Sequence, residues 1–262
     1  MHVEYLPSLA NALTFAFEKA TLEGKLTISA LMIVSMVSWT VIITKGLQLL
    51  KAKRMTKKFF EAYRATKDPL DVNRAGREFE GAPAYEVYAA GVEELKYHLE
   101  HNPILLKGQN RISHEAFANV QVAFERAVSS EALSLEKGMI ILTTAVAGGP
   151  FIGLLGTVWG VMETFSGIAM AASASLTAMA PGVAGALIAT VVGLFVAIPA
   201  MFAYNLMITT IRQLTQELDN FNSEISTDLE HKYVDNRALA DEIADALRAL
   251  QTADREREAE VA

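Results

Sequence analysis

Hydroxyl and carboxyl groups inside a long apolar stretch are the residues of this chain best suited to chemistry. Between Gly138 and Ile211, Glu163 is the only charged residue, and Thr157 and Thr190 lie in segments rich in glycine and alanine. A hydroxyl in an apolar helix bonds a carbonyl one turn back, another helix, a water molecule or an ion. The plainer interpretation is that each threonine hydroxyl is hydrogen-bonded to a carbonyl of its own helix. The functional interpretation is that the two helices line a narrow pathway or pack against a partner helix.

Glu163 allows two interpretations of its own. An ionisable residue within a membrane span marks a functional site by default. Glu163 comes late in its span, near the predicted outer interface, so an interfacial or structural role competes with a role in ion passage. Thr164 follows it and shares a helix face with Thr157, two turns earlier.

The rest of the composition offers little for covalent catalysis, metal binding or nucleic-acid binding. The chain has no cysteine, and its five histidines show no zinc-site spacing; we interpret His98 and His101 as surface residues. Neither a GxSxG nor a phosphate-binding loop motif occurs. From Arg212 onward, 13 acidic and six basic residues account for the net charge of −7, which argues against nucleic acid as a partner. We therefore expect no enzyme, no metal and no cofactor.

Three apolar segments are long enough to cross a bilayer, whose core takes about 20 helical residues. We predict transmembrane helices at residues 26–50, 136–168 and 181–211. The last begins at Pro181 and Gly182, which are helix-breaking residues and mark a turn. The uncharged part of the first span, residues 26–44, is followed by basic residues that begin with Lys45, and these favour the cytoplasmic side. The N-terminus is then periplasmic and the C-terminus cytoplasmic.

The segments around the spans complete an all-α integral membrane protein. They are an amphipathic periplasmic segment (1–25), a cytoplasmic helical insertion (51–135), a periplasmic loop (169–180) and a cytoplasmic C-terminal helix and tail (212–262). Prolines and glycines predict breaks near 68–83 and 101–108 of the insertion. The second span is predicted to extend backward through Phe117–Lys137, and the third to continue into the C-terminal helix. Charged residues cover one side of that helix, and apolar residues recur on the other at steps of three or four: Leu214, Leu218, Phe221, Ile225 and Leu229.

The glycines of the second span predict how its helix packs. Gly149, Gly153, Gly156 and Gly160 recur at three- and four-residue steps and share one helix face. Such a face lets another helix approach backbone to backbone.

Two motifs resemble a known family. IGLLGTVWGVMETF (152–165) and APGVAGALIATVVGLFVAIPAMFAYN (180–205) resemble the signature of the ExbB/TolQ/MotA proton-channel family, and most of all its ExbB and TolQ branch. The resemblance implies a pentameric ring in the bacterial inner membrane. The second and third spans would line a central pore that holds the helices of an ExbD- or TolR-like single-span partner dimer.

The resemblance also implies roles for residues. Thr157 and Thr190 match the family's pore-lining threonines, an aspartate of the partner carries the ion, and the proton-motive force drives work on the cell envelope or outer-membrane transport. Membrane lipids and a TonB- or TolA-like envelope-spanning protein are the further partners it suggests. Gly185 departs from the family pattern APGIAEAL, which has a glutamate there, and puts a proton path through that position in doubt. As a hypothesis, Glu163 takes over the role of this missing glutamate in ion passage.

Three alternatives to a proton-driven motor differ in how well the sequence fits them. A non-conducting scaffold ring and a sodium-driven motor of the same family both stay open, because threonine oxygens serve either ion. A secondary transporter is disfavoured, since three unequal spans without an internal repeat do not match that class.

Overall fold

The computed structural model describes residues 22–106, 109–171 and 176–235, and most of these are helical. In chain order the elements are α1 (Leu22–Arg64), α2 (Asp71–Arg74), α3 (Pro83–His101), β1 (Ile104–Leu106), β2 (Gln109–Arg111), α4 (His114–Glu136), α5 (Met139–Ala171) and α6 (Leu176–Tyr233). Most of the predicted N-terminal amphipathic segment, and the tail after residue 235, lie outside the described residues.

The prediction of three spans is confirmed by helix length and composition. Among the described residues, Leu22–Arg64, His114–Met170 and Gly182–Tyr233 are long and apolar enough to cross a membrane, and the second of these stretches combines α4 and α5. The third span continues without interruption into the polar C-terminal helix, because α6 extends to Tyr233. The side of the membrane that each end occupies stays a prediction.

The chain divides into two compact units. The apolar unit comprises Met1–Lys53 and Ala132–Leu214, and the polar unit comprises Arg54–Glu131 and Thr215–Ala262. Helices α1, α5 and α6 of the apolar unit pack on a core that includes Leu49, Leu142 and Ile211. Their outward sides are apolar as well, with Phe195 74% exposed. Such surfaces require lipid or another apolar partner as cover.

An aromatic cluster forms the core of the polar unit. Phe59 is fully buried, and its ring centroid lies 5.4 Å from that of Phe221 and 5.5 Å from that of Tyr88. Apolar residues that recur at helical spacing in this region are buried: Val87, Leu95, Phe117, Val120, Phe124, Leu218, Ile225 and Leu229. Leu99, which has the same spacing in α3, is partly buried against this core. The 3.6-residue pattern of the sequence therefore matches most of the buried side of these helices.

A charged network around Asp68 holds the loop after α1 against the end of α6 within the polar unit. The Asp68 carboxylate accepts hydrogen bonds from the Tyr233 hydroxyl (2.7 Å) and the Arg74 guanidinium (2.8 Å), and Lys232 Nζ lies 3.0 Å away. Burial alone would raise the pKa of Asp68. The hydrogen bonds from the Leu70 amide and these three side chains outweigh burial and hold its pKa well below the usual range.

The described residues are mostly helical, as predicted, and a small hairpin is an addition that the prediction lacked. Between α3 and α4, β1 and β2 form an antiparallel hairpin in which Ile104 pairs with Arg111 and Leu106 with Gln109. Pro103 disfavours continuation of α3, because it has no backbone N–H to donate to a helical hydrogen bond. The predicted break near 101–108 is therefore a small sheet.

The second span does not extend backward as one helix, contrary to the prediction. Helix α4 ends at Glu136 and α5 begins at Met139, with Gly138 at φ +88° between them. This backbone conformation favours glycine and interrupts the helical hydrogen bonds.

The connection predicted at 169–180 is also mostly helical. Helix α5 continues to Ala171 and α6 already begins at Leu176, so Pro181 lies inside α6. A proline near the start of a helix removes few hydrogen bonds, and the residues before it, Leu176–Ala180, include good helix formers.

Candidate functional site

The candidate site is built on a close contact between α5 and α6. A Cβ atom placed on Gly153 would lie 2.9 Å from the carbonyl oxygen of Ala189 and 3.0 Å from Cα of Thr190. A Cβ on Gly193 would lie 2.6 Å from the carbonyl oxygen of Gly149. These contacts show that the two helices pass each other antiparallel. The prediction of backbone-to-backbone packing is confirmed.

Helix α1 covers one side of this helix pair. Ile28 of α1 packs with Ile188 and Ala189 of α6. Thr190 lies two residues beyond Ile188, which places it about 160° around the helix. Thr190 is therefore on the side of α6 that faces away from α1, and it is partly buried there.

Thr157 lies on the corresponding side of α5. A Cβ on Gly156 would come within 2.8 Å of Thr27 Oγ1 of α1, whereas Gly153 contacts Thr190. Thr157 is about 40° from Gly153 and about 100° from Gly156 around the helix. Thr157 and Thr190 therefore share the side of the α5–α6 pair away from α1, and we call these two residues the threonine face.

The hydrogen bond made by Thr157 decides what this face offers to a ligand. Thr157 Oγ1 donates to the carbonyl oxygen of Leu154 at 2.7 Å. A hydroxyl has one hydrogen to donate and two lone pairs. The backbone therefore holds the hydrogen, as in the plainer interpretation, and the lone pairs of the oxygen remain available to a proton donor or a cation.

Thr164 is part of the contact between the helices instead of the threonine face. Its hydroxyl donates to the carbonyl oxygen of Gly160 at 2.8 Å. Its side chain packs directly against Gly182 of α6, where a Cβ atom would collide with it.

Glu163 and Gly185 also lie off the threonine face. Glu163 is exposed and six residues from Thr157, which places it about 120° around α5. Gly185 is buried and lies five residues before Thr190, about 140° around α6. The structure thus brings Thr157 and Thr190 to one side, and it leaves this side without a charged residue. The functional roles of all five residues stay predictions.

The described residues contain no group of three His, Asp or Glu side chains arranged to hold a metal ion. The interpretation of His98 as a surface residue is wrong, because it is 7% exposed in the polar unit. Its helical spacing with Val87 and Leu95 places it on the buried side of α3, where its Nε2 lies 3.3 Å from Glu94 Oε1.

Comparison with known proteins assigns the chain to a family. A model described as the MotA/TolQ/ExbB proton channel family matches residues 89–220, half of the chain, and this match contains α5 and the threonine face. The chain belongs to this family. TolQ of the Tol-Pal system from Haemophilus influenzae is 32% identical over 217 residues, which are 80% of this chain and 90% of that protein.

Biopolymer transport proteins named ExbB are similar as well. The protein from Salmonella typhimurium is 29% identical over 235 residues, 90% of this chain and 92% of its own length. The protein from Pseudomonas putida is 29% identical over 220 residues, 82% of this chain and 64% of its own length.

Membership in the MotA/TolQ/ExbB family confirms the resemblance carried by the two motifs. The family is one of proton channels and transport proteins and is not a known enzyme family. Its members together with the three apolar helices support a multi-pass protein of the inner membrane.

Lys45 has a structural role that its place in the basic run after residue 44 did not indicate. It is 8% exposed, and its ammonium donates to the carbonyl oxygens of Ser134 and Leu135. A signal was present in the sequence. Lys45 falls in a series with seven-residue spacing whose members are all buried: Leu31, Ser38, Lys45, Ala52 and Phe59. This spacing places all of them on the packed side of α1.

Proposed function

We propose that this chain is the channel-forming subunit of an ExbB–ExbD or TolQ–TolR type motor of the inner membrane. In this motor the proton-motive force drives work on the cell envelope or transport at the outer membrane. The observation that carries the proposal is the threonine face, an uncharged side of α5 and α6 directed away from α1 and furnished with hydroxyl oxygens. Family membership and the three apolar helices support the same conclusion.

In the proposed assembly five copies form a ring with their threonine faces toward the centre. The transmembrane helices of an ExbD- or TolR-like dimer occupy this centre, because the face has no carboxylate of its own to carry a proton. The partner supplies that carboxylate as an aspartate. The N-terminus lies in the periplasm, and residues 51–135 and 212–262 lie in the cytoplasm. A TonB- or TolA-like protein transmits the work across the envelope.

The chemistry of the proposed step follows from the Thr157 hydrogen bond. Since the Thr157 hydroxyl donates to Leu154, its lone pairs accept a hydrogen bond from a protonated carboxyl group or a water molecule. An ionised carboxylate gains nothing from that oxygen. The face therefore favours the neutral acid while the partner crosses the apolar zone. The membrane potential contributes about 2.3 kcal/mol per charge per 100 mV.

Proton flux in proteoliposomes that contain the chain and its single-span partner tests this function. We expect Thr157→Val to reduce flux about tenfold or more, since loss of the acceptor oxygen costs a proton donor its hydrogen bond. Thr157→Ser retains the oxygen and is expected to retain flux. The matched control is Thr144→Val, because Thr144 Oγ1 also donates to its own helix, to Ile140 O at 2.8 Å. It lies about 140° from Thr157 around α5. Equal flux in Thr157→Val and Thr144→Val would refute the proposal.

A non-conducting scaffold ring is the second candidate. Two observations favour the scaffold. Gly185 stands where the family pattern has a glutamate, and Glu163, the hypothetical replacement, lies off the threonine face. The chain then has no carboxylate of its own on the proposed path. Substitution of the partner's aspartate by asparagine separates the two candidates. A channel loses its flux while the partner stays bound, whereas a scaffold shows no flux before or after the change. The same vesicles with a sodium gradient in place of a proton gradient identify the driving ion.

A further inference from the structure

Lys45 is a buried cation that joins two elements of the apolar unit. Its Nζ atom lies 3.2 Å from the carbonyl oxygen of Ser134 and 3.2 Å from that of Leu135. Both carbonyls belong to the last turn of α4, which ends at Glu136. Lys45 itself lies in the middle of α1. The contact therefore connects helices that are about ninety residues apart in the chain.

The end of α4 needs such a partner. The last four carbonyls of a helix have no hydrogen-bond donor within that helix, and they carry the negative end of its dipole. At Gly138 the chain takes φ +88° and α5 begins anew, so the carbonyls of Ser134 and Leu135 are not taken up by a continuing helix. A Cβ atom on Gly138 would lie 3.7 Å from Lys45 Cε, which shows that the lysine stem packs along this break.

Lys45 needs the contact as well. A buried ammonium group is costly unless it is paired or fully hydrogen-bonded. Among the ion pairs of the described residues none includes Lys45. The two carbonyls and the negative end of α4 thus stand in for a carboxylate.

We propose that Lys45 is a positioning residue that caps α4 from another helix and fixes the joint between α4 and α5. The joint sets the direction in which α5 starts at Met139. It thereby sets the rotation of α5 about its axis, which places Thr157 on the same side as Thr190. The capping contact goes beyond the proposed function and stands without it. The consequence for ion flux rests on the proposed function.

Hydrogen–deuterium exchange on the full chain in lipid nanodiscs tests the cap directly. In Lys45→Met the stem keeps its volume and loses its donors, so we expect the amides of residues 134–138 to exchange about tenfold faster. Lys45→Arg restores a cationic donor and is expected to stay within about twofold of the wild type. Lys137→Met is the matched control. It removes a neighbouring, exposed charge and is expected to leave these amides unchanged.

Exchange in peptides from α6 serves as the internal reference. Faster exchange throughout Lys45→Met, α6 included, would mean general destabilisation and would overturn the proposal, as would unchanged exchange at residues 134–138. Failure of Lys45→Arg to restore slow exchange would overturn it too. If Lys45→Met cannot be purified, Lys45→Gln replaces it; its neutral amide retains one donor and is expected to give an intermediate rate, and a wild-type rate would refute the cap.

Flux separates this inference from the proposed function. We expect Lys45→Met to reduce proton flux and Lys45→Arg to restore it. Accelerated exchange in Lys45→Met together with full flux in Thr157→Val would leave the cap standing and remove the proposed function. Normal exchange in Lys45→Met with reduced flux in Thr157→Val would do the opposite.

Discussion

The apolar and polar units of this chain are held together by different contacts. In the apolar unit, α5 and α6 meet through glycine and alanine, close enough that added Cβ atoms would touch backbone atoms. In the polar unit, large aromatic rings surround Phe59, and a charged network surrounds Asp68. Lipid tails are as apolar as a leucine side chain, so burial of apolar surface gives little stability within a membrane, and helices there are stabilised by close packing. In water, burial of a large apolar surface is itself stabilising.

This difference bears on function. Because small residues pack α5 against α6, few large or charged side chains are needed between them, and the side away from α1 can present isolated hydroxyls. The polar unit has charged groups in abundance, and one of its acids, Asp68, is engaged by Tyr233, Arg74 and Lys232. We infer that its charges serve stability, and that the ion chemistry belongs to the apolar unit.

The largest effect is expected for Phe59→Ala in the polar unit. Removal of a fully buried ring that contacts several others costs about 3–5 kcal/mol in the free energy of unfolding. Phe195→Ala in the apolar unit is the matched control, because that ring is 74% exposed. Chemical unfolding of the full chain in detergent, followed by near-ultraviolet circular dichroism, measures both. Similar losses in the two variants would contradict the contrast between the units.

A smaller and pH-dependent effect is expected for Asp68→Asn. Loss of the charged acceptor costs about 2–3 kcal/mol at pH 7, since hydrogen bonds to charged groups are strong. The folded-state pKa of Asp68 is depressed, so its contribution is present above the unfolded-state pKa and is lost as pH falls through the folded-state value. We therefore expect the difference in Tm between wild type and Asp68→Asn to be constant from pH 8 to 5 and to shrink below about pH 4. A constant difference down to pH 2 would contradict the assignment.

The smallest of these effects is expected for Gly193→Ala in the apolar unit. The new Cβ would lie 2.6 Å from the carbonyl oxygen of Gly149, so α5 and α6 must separate, at a cost of about 1–2 kcal/mol. Gly148→Ala is the control, because among the described residues the added Cβ meets no atom within 4 Å apart from the adjacent backbone of its own helix. That change removes glycine from a helix and is expected to stabilise by about 0.5–1 kcal/mol. Thermal unfolding in detergent compares the two, and equal Tm values would show that the close contact does not limit stability.

Periodic features of the fold could be predicted from the sequence. The spacing of Leu218, Phe221, Ile225 and Leu229 gave the buried side of α6, and the glycines at 149, 153, 156 and 160 gave a close helix contact. Both patterns repeat over several turns, so a single exception does not hide them. Thr157 and Thr190 were selected for a different reason: they are hydroxyl residues in apolar segments rich in glycine and alanine, and they match the pore-lining threonines of the family.

Features that depend on one residue or on another part of the chain could not be predicted. The interruption at Gly138 depends on one backbone angle, and the hairpin at 104–111 is too short for a periodic signal. The side of α5 on which Thr157 lies, relative to α1 and α6, followed only from the contacts of Gly153 with Thr190 and of Gly156 with Thr27. The burial of Lys45 requires the end of α4 beside it, which charge counting along α1 does not reveal.

Cysteine accessibility in the assembled membrane complex tests the central claim most directly, because the chain has no cysteine and each introduced thiol is read without background. We compare Thr157→Cys with Leu155→Cys, since Leu155 is exposed on α5 and lies about 160° away from Thr157. A small hydrophilic thiol reagent is expected to label Thr157→Cys, and oxidation is expected to cross-link it to cysteines in the helix of the single-span partner. Labelling and cross-linking of Leu155→Cys, with Thr157→Cys unreactive, would show that the threonine face points to lipid and would contradict the account.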